Sequence, residues 1–138
     1  MKLLIVGCGR VGSAIASRMA ADGHDVSVID DDPEALARLP EEWPGRFIQG
    51  HALDLDVLID AGIEDADACV VATDGDNTNI VIAQVAQKRF HCPCVVTRIL
   101  DPARAAFYSS LGLQTVCATS AAIESTTQAI CATPGRTG

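Results

Sequence analysis

Three things are scarce in this 138-residue chain, and each scarcity narrows its function. The first is positive charge. Ten Lys and Arg face 18 Asp and Glu, for a net charge of -8, and no basic run occurs. A surface that neutralises nucleic-acid phosphates needs clustered cations, so nucleic-acid binding is not expected. The second is long apolar runs. No stretch approaches the ~18 apolar residues of a membrane span, so direct membrane insertion is not expected. The first residues go straight into a strand pattern, which leaves no signal peptide to expect, and a cytoplasmic location is the reading. The third is catalytic machinery. There is no Tyr-x-x-x-Lys pair, and the single tyrosine, Tyr108, falls on a late helix. Hydride transfer needs a proton donor and a substrate pocket, and neither is visible, so no catalytic residue is assigned. His91, Cys92 and Cys94 cluster around Pro93, but Cys-x-Cys lacks zinc spacing, and no metal site is expected.

What is present is a packed domain. Hydrophobic residues make up 49% of the chain and charged residues 20%. A chain of this length buries about two-thirds of its unfolded surface, enough for one domain but not for an additional substrate domain. Cys8, Cys69 and Cys117 lie in or beside apolar runs, the habit of reduced thiols packed as small hydrophobes.

The most informative stretch is the first thirty residues. Lys2 to Val6 is a run of β-formers that reads as a buried strand. Gly7-Cys8-Gly9-Arg10-Val11-Gly12 follows in G-x-G-x-x-G spacing, and Ser13 to Ala21 has helical periodicity. Strand, glycine turn and helix together form a dinucleotide fingerprint. Gly7 allows the tight turn, Gly9 lets backbone approach a pyrophosphate, and Gly12 lets the helix sit close on the sheet. The helix start offers free N–H groups, including that of Val11, and a positive dipole end to phosphates. A second strand, Asp25 to Ile29, leads to Asp30 and Asp31. Asp30 lies about 20 residues past the glycines, where an acid at a strand tip holds ribose hydroxyls. Alone, such a carboxylate is expected to be solvated. None of the three glycines has an evident packing need in the sequence.

Further along, Pro33 to Leu39 is a short helix capped by Asp32, and Trp43 lies in a loop at the edge of the fold. Strands follow at Arg46 to Gln49, Asp67 to Ala72, Cys94 to Arg98 and Gln114 to Cys117. Helices are expected at Leu53 to Ala61, Asn77 to Phe90, Pro102 to Leu111 and Ser120 to Cys131. Strands alternating with helices imply an α/β, Rossmann-like, doubly wound sheet of six parallel strands in order 3-2-1-4-5-6. One domain is expected over residues 1–132, with a disordered tail at 133–138.

Ligand then lies across the carboxyl ends of strands one and four. His51 and Ala52 follow the third strand on the base side, while Thr73 and Asp74 follow the fourth beside the phosphates. Asn77 and Asn79 open the next helix, where capping is as good an account of them as ligand contact. Arg98 ends the fifth strand and has two readings, a phosphate partner or a salt bridge with the acidic loops. Arg10 is either a phosphate neighbour or a solvated helix-start residue. The candidate ligand residues are thus Gly7, Gly9, Arg10, Val11, Gly12, Asp30, Asp31, His51, Ala52, Thr73, Asp74, Asn77 and Arg98.

With GCGRVG, VIDDDPEAL, ATDGDNTN and TRILDP followed by LGLQTV, the chain resembles the potassium-transport regulatory domains called TrkA-N, KTN or RCK. The resemblance implies a non-catalytic, nucleotide-sensing regulatory (gating) subunit or domain of a potassium uptake system or channel. It implies NAD(H) or ATP/ADP as ligand, a membrane-embedded transporter or channel subunit as partner, and homodimers or higher ring assemblies. By motif match Gly7, Gly9 and Gly12 take the phosphates, Asp30 the ribose, and Arg10 a terminal phosphate or the neighbour's ligand. The alternative is the cofactor-binding domain of an NAD-dependent oxidoreductase without its substrate domain. Independently of the resemblance, the helices around Val81 and Phe107 are apolar around much of their circumference, which points to a joint dimer surface.

Overall fold

The computed structural model describes residues 1–136; Thr137 and Gly138, the last of the expected tail, lie outside the described residues. Six strands form one sheet in the order β3-β2-β1-β4-β5-β6. They are β1 (Lys2–Val6), β2 (Asp25–Asp30), β3 (Arg46–Gln49), β4 (Ala68–Val71), β5 (Cys94–Arg98) and β6 (Gln114–Val116). All pairings are parallel, and β1 is central, with Leu4 opposite Ser27 of β2 and Cys69 of β4. The expected strand order is therefore the observed one.

Alternation along β1 sorts the core into two layers. Leu3 and Ile5 pack with Ala16, Ile15 and Met19 of α1 (Arg10–Ala21) and with Ala35 of the 3₁₀ segment Pro33–Arg38. Leu4 and Val6 face the opposite layer, where they meet Leu58 of α2 (Leu55–Asp60) and Ile82 and Ala83 of α3 (Asp76–Gln84). Each fully buried aliphatic side chain of this kind contributes roughly 1.5–3 kcal/mol. A smaller cluster joins Ile80 of α3, Ile99 after β5 and Ala105 of α4 (Pro102–Ser110). The chain closes with α5 (Ala118–Cys131), none of whose residues is buried.

Several boundaries differ from the expectation. The helix α1 starts at Arg10 rather than Ser13, so the end of the glycine motif is already helical. Pro33–Arg38 is wound as a 3₁₀ helix, with Asp32 Oδ1 accepting from the Glu34 N–H at 2.9 Å. The single helix expected from Asn77 to Phe90 is α3 followed by a π-helical turn, Val85–Arg89, in which the Phe90 N–H donates to the Val85 carbonyl. One extra residue in one turn barely changes hydrophobic spacing, so periodicity carries no trace of it. Trp43 packs at the edge, as expected, and its Nε1 donates to the Ala16 carbonyl at 3.1 Å. No helix among the described residues is long and apolar enough to cross a membrane.

Candidate functional site

A cleft of about 460 Å³ opens at the carboxyl ends of β1, β2, β3 and β4. Its volume suits a small-molecule ligand. The first wall is the glycine turn, and its glycines have different reasons. Gly7 has φ +100°, and a Cβ there would stand 2.7 Å from the Ala72 carbonyl oxygen. A Cβ on Gly12 would overlap the Gly7 carbonyl oxygen. Both glycines are thus required by the fold itself, in keeping with the turn and close-packing roles read for them, and the expectation that none of the three has a packing need holds for Gly9 alone. Gly9 is not: it lines the cleft, and a Cβ there would meet nothing within 4 Å. The chain leaves space above Gly9 that a side chain could fill. That space is what a pyrophosphate approaching the backbone requires.

Behind Gly9 no side chain caps α1, so its first N–H groups remain free. Beside it sits Asp30, half-buried rather than solvated, which is a second correction. Its Oδ2 accepts the Cys8 N–H at 2.8 Å and its Oδ1 the Asp32 N–H at 2.9 Å. These bonds fix the carboxylate while leaving each oxygen a lone pair for a further donor. Burial, then the Asp30 carboxylate, push the Cys8 thiol above its ordinary pKa, partly opposed by Arg38. The thiol therefore stays protonated at neutral pH.

The second wall is the loop Thr73–Gly75. Asn79 holds it from behind: buried to 1% exposure, it accepts the Thr73 N–H at 3.1 Å and the Thr73 hydroxyl. Its Nδ2 donates to the Thr73 carbonyl at 3.0 Å and to the Arg98 carbonyl at 2.9 Å. Asn79 thus ties the β4 loop to the end of β5. Asp76 continues the tie, its carboxylate accepting from the Leu100 N–H at 2.7 Å and the Asp101 N–H at 3.1 Å. At the mouth, His51 Nε2 stands 3.6 Å from Asp31 Oδ2, and both side chains are largely exposed.

Of the residues singled out in the sequence, Gly7, Gly9, Asp30, Asp31, His51, Ala52, Thr73 and Asp74 line this one cleft. Arg10, Val11, Gly12, Asn77 and Arg98 do not line it. Asn77 is hydrogen-bonded by Arg104, and Arg98 Nη1 lies 3.9 Å from Asp74 Oδ1, the salt-bridge geometry of its two readings. Sequence reasoning missed Asp32, Arg38 and Thr78. For Arg38 the available signal was its place at the end of the 3₁₀ segment after the acidic tip, too weak to separate it from a solvated cation.

The arrangement supplies free N–H donors at a helix start, an open backbone surface and a fixed carboxylate for hydroxyls. The sequence model of the TrkA-N domain matches residues 3–119. The chain belongs to the TrkA-N domain family. Over 116 residues it is 47% identical to the Trk system potassium uptake protein TrkA of Streptomyces coelicolor, covering 84% of this chain and 52% of that relative. The chain thus spans about half the length of that relative. The TrkA-N fold recurs in the TrkA-N domain of the inner membrane protein ybaL from Escherichia coli, with TM-score 0.81 and 20% identity over 92% of this chain and 94% of that one. It recurs again in the Shewanella denitrificans Kef CTD in AMP-bound form, with TM-score 0.78 and 25% identity, covering 95% of this chain and 80% of that one.

Proposed function

We propose that this chain is a non-catalytic, nucleotide-sensing regulatory domain of a potassium uptake system. The ligand is an adenine nucleotide, NAD(H) or ATP/ADP, seated in the cleft at the carboxyl ends of β1 to β4. The observation that carries this reading is the open space above Gly9, next to an uncapped helix start and the fixed Asp30 carboxylate. Gly9 and the first N–H groups of α1, including those of Arg10, Val11 and Gly12, receive the phosphates. Asp30 accepts from ribose hydroxyls, with Asp31, His51 and Ala52 towards the base and Thr73 and Asp74 closing the opposite side. The matching domain of Kef in its AMP-bound form and the potassium uptake relatives support this ligand class and this role.

Regulation requires the ligand to bind two conformations unequally, and a partner that feels the difference. The partner is a membrane-embedded potassium transporter or channel subunit, met from the cytoplasmic side. Copies of the domain associate through the exposed apolar side chains of α3, α4 and α5, among them Val81, Phe107 and Ile123. Replacing Phe107 with Glu should yield soluble monomer by light scattering with nucleotide binding intact; a native chain already monomeric at tens of micromolar defeats this assembly. The ligand reading is tested by calorimetry against AMP, ADP, ATP, NAD+, NADH and NADPH in parallel. Saturable binding of at least one of them is expected, and no heat with any of them rejects it.

A further inference from the structure

The charge of the cleft is unlike that of a phosphate site. Asp30, Asp31, Asp32 and Asp74 all line it, and Arg38 is the single Lys or Arg among the described lining residues. Arg10, the cation inside the glycine motif, is exposed like Arg38 but lies outside the lining. Arg38 is positioned with care. The segment Pro33–Arg38 carries it back over the glycine turn, where Nη1 donates to the Cys8 carbonyl at 3.1 Å. The peptide before it is held as well, because the Cys8 N–H donates to Asp30. The Cys8 thiol adds a third tie, reaching the Ala35 carbonyl at 3.4 Å. Arg38 and Asp30 therefore engage the two backbone polar groups of one residue, Cys8, immediately before Gly9.

A guanidinium carries five N–H donors in a rigid fork, and the Cys8 carbonyl engages one. Arg38 forms no ion pair with a carboxylate among the described residues, although three carboxylates line the same side of the cleft. Its guanidinium is open to solvent at the cleft, where a ligand can reach it.

We infer that Arg38 is the cation that meets a phosphate carried on the ribose held by Asp30. This deepens the nucleotide reading and rests on it. Without Arg38, any phosphate entering would face four carboxylates and no fixed positive side chain in the lining. With it, one ligand group is repelled by the acids and drawn to the fork, so Arg38 also sets the orientation in which the nucleotide enters. The phosphate is the 5′-phosphate, because the Asp30 carboxylate at the ribose hydroxyls repels a charge on the 2′ position.

The test is calorimetry of the purified chain and its Arg38→Gln variant with 5′-AMP, 2′-AMP and adenosine, with melting temperatures recorded for each protein. Arg38→Gln should lose roughly tenfold or more in affinity for a phosphate-bearing ligand, the scale of a charge-assisted hydrogen bond, while adenosine binds as before. A loss for 5′-AMP with adenosine unchanged supports the inference; a loss confined to 2′-AMP overturns it. Equal losses for all three ligands make Arg38 a prop for the glycine turn and overturn the inference, as does no loss at all. Arg38→Lys keeps the charge without the fork and should fall between the two proteins, a check that survives if the glutamine variant folds poorly. A larger loss from Arg10→Gln than from Arg38→Gln returns the role to Arg10 and also overturns it. A native chain that binds neither 5′-AMP nor NAD+ refutes the nucleotide reading instead.

Discussion

The helices of this domain start in two ways. Asp54 caps α2, Asp101 caps α4 and Cys117 caps α5, each through a side chain that accepts a first-turn N–H. Helices α1 and α3 instead follow Gly9 and Gly75 at the cap position, with no side-chain cap, and these two glycines both line the cleft. A cap is worth about 1 kcal/mol over an apolar residue and a few tenths over glycine. The uncapped starts forgo that stability where donors are useful and keep it where they are not. Both helix ends at the cleft are left unfinished, and in the proposed reading a bound nucleotide would complete them.

Substitutions can break this contrast. The largest effect should come from Gly12→Ala, whose Cβ overlaps the Gly7 carbonyl. Destabilisation of about 4 kcal/mol or more is expected, in the range reserved for severe steric conflict. Urea titration measures it, and a near-native midpoint would remove the close helix–turn packing. Gly9→Val should do the opposite: melting within a few degrees of native, because its side chain enters open space, with nucleotide affinity reduced by about 100-fold or more. A normal binding isotherm from that variant defeats the phosphate cradle.

Asp30→Ala should damage both properties. The Cys8 and Asp32 N–H groups lose their acceptor, costing roughly 1–3 kcal/mol of stability, and the ribose loses bonds worth about 1.5–3 kcal/mol. Unchanged affinity would take the ribose away from Asp30. The smallest effects sharpen the contrast most directly. Asp101→Ala should cost about 1 kcal/mol of stability with no change in affinity. Gly75→Ser, which offers α3 a cap, should gain a few tenths of a kcal/mol and weaken nucleotide binding severalfold. If Gly75→Ser tightened binding, the free donors of α3 would have no part in the site.

The sheet was legible because its signals are local: apolar runs of β-formers, punctuating glycines and a helix between each pair. The cleft was legible where a residue sits at a strand tip, as do Asp30, His51 and Thr73, since topology alone brings those tips together. What escaped depends on side chains crossing between elements. Asn79 looks like a helix-start residue and is instead a buried clasp between β4 and β5. Asn77, two positions earlier, turns to Arg104 instead. Arg38 reaches its place only because a 3₁₀ turn, tighter than an α-helix, carries it back over Cys8. Gly12 was assigned to close packing and Gly7 to the turn, yet only the structure shows that both are needed before any ligand arrives.

The last helix behaves by another clock. All 14 residues of α5 are exposed, Ile123 and Ile130 among them, so within one copy it gains little from tertiary packing. A lone helix of that length is marginal in water. In hydrogen exchange, the amides of β1 should open only with the whole domain, whereas those of α5 should exchange by fraying. When its apolar side chains are covered by a partner, that exchange slows, so the protection of α5 becomes a direct count of how much of the protein is assembled.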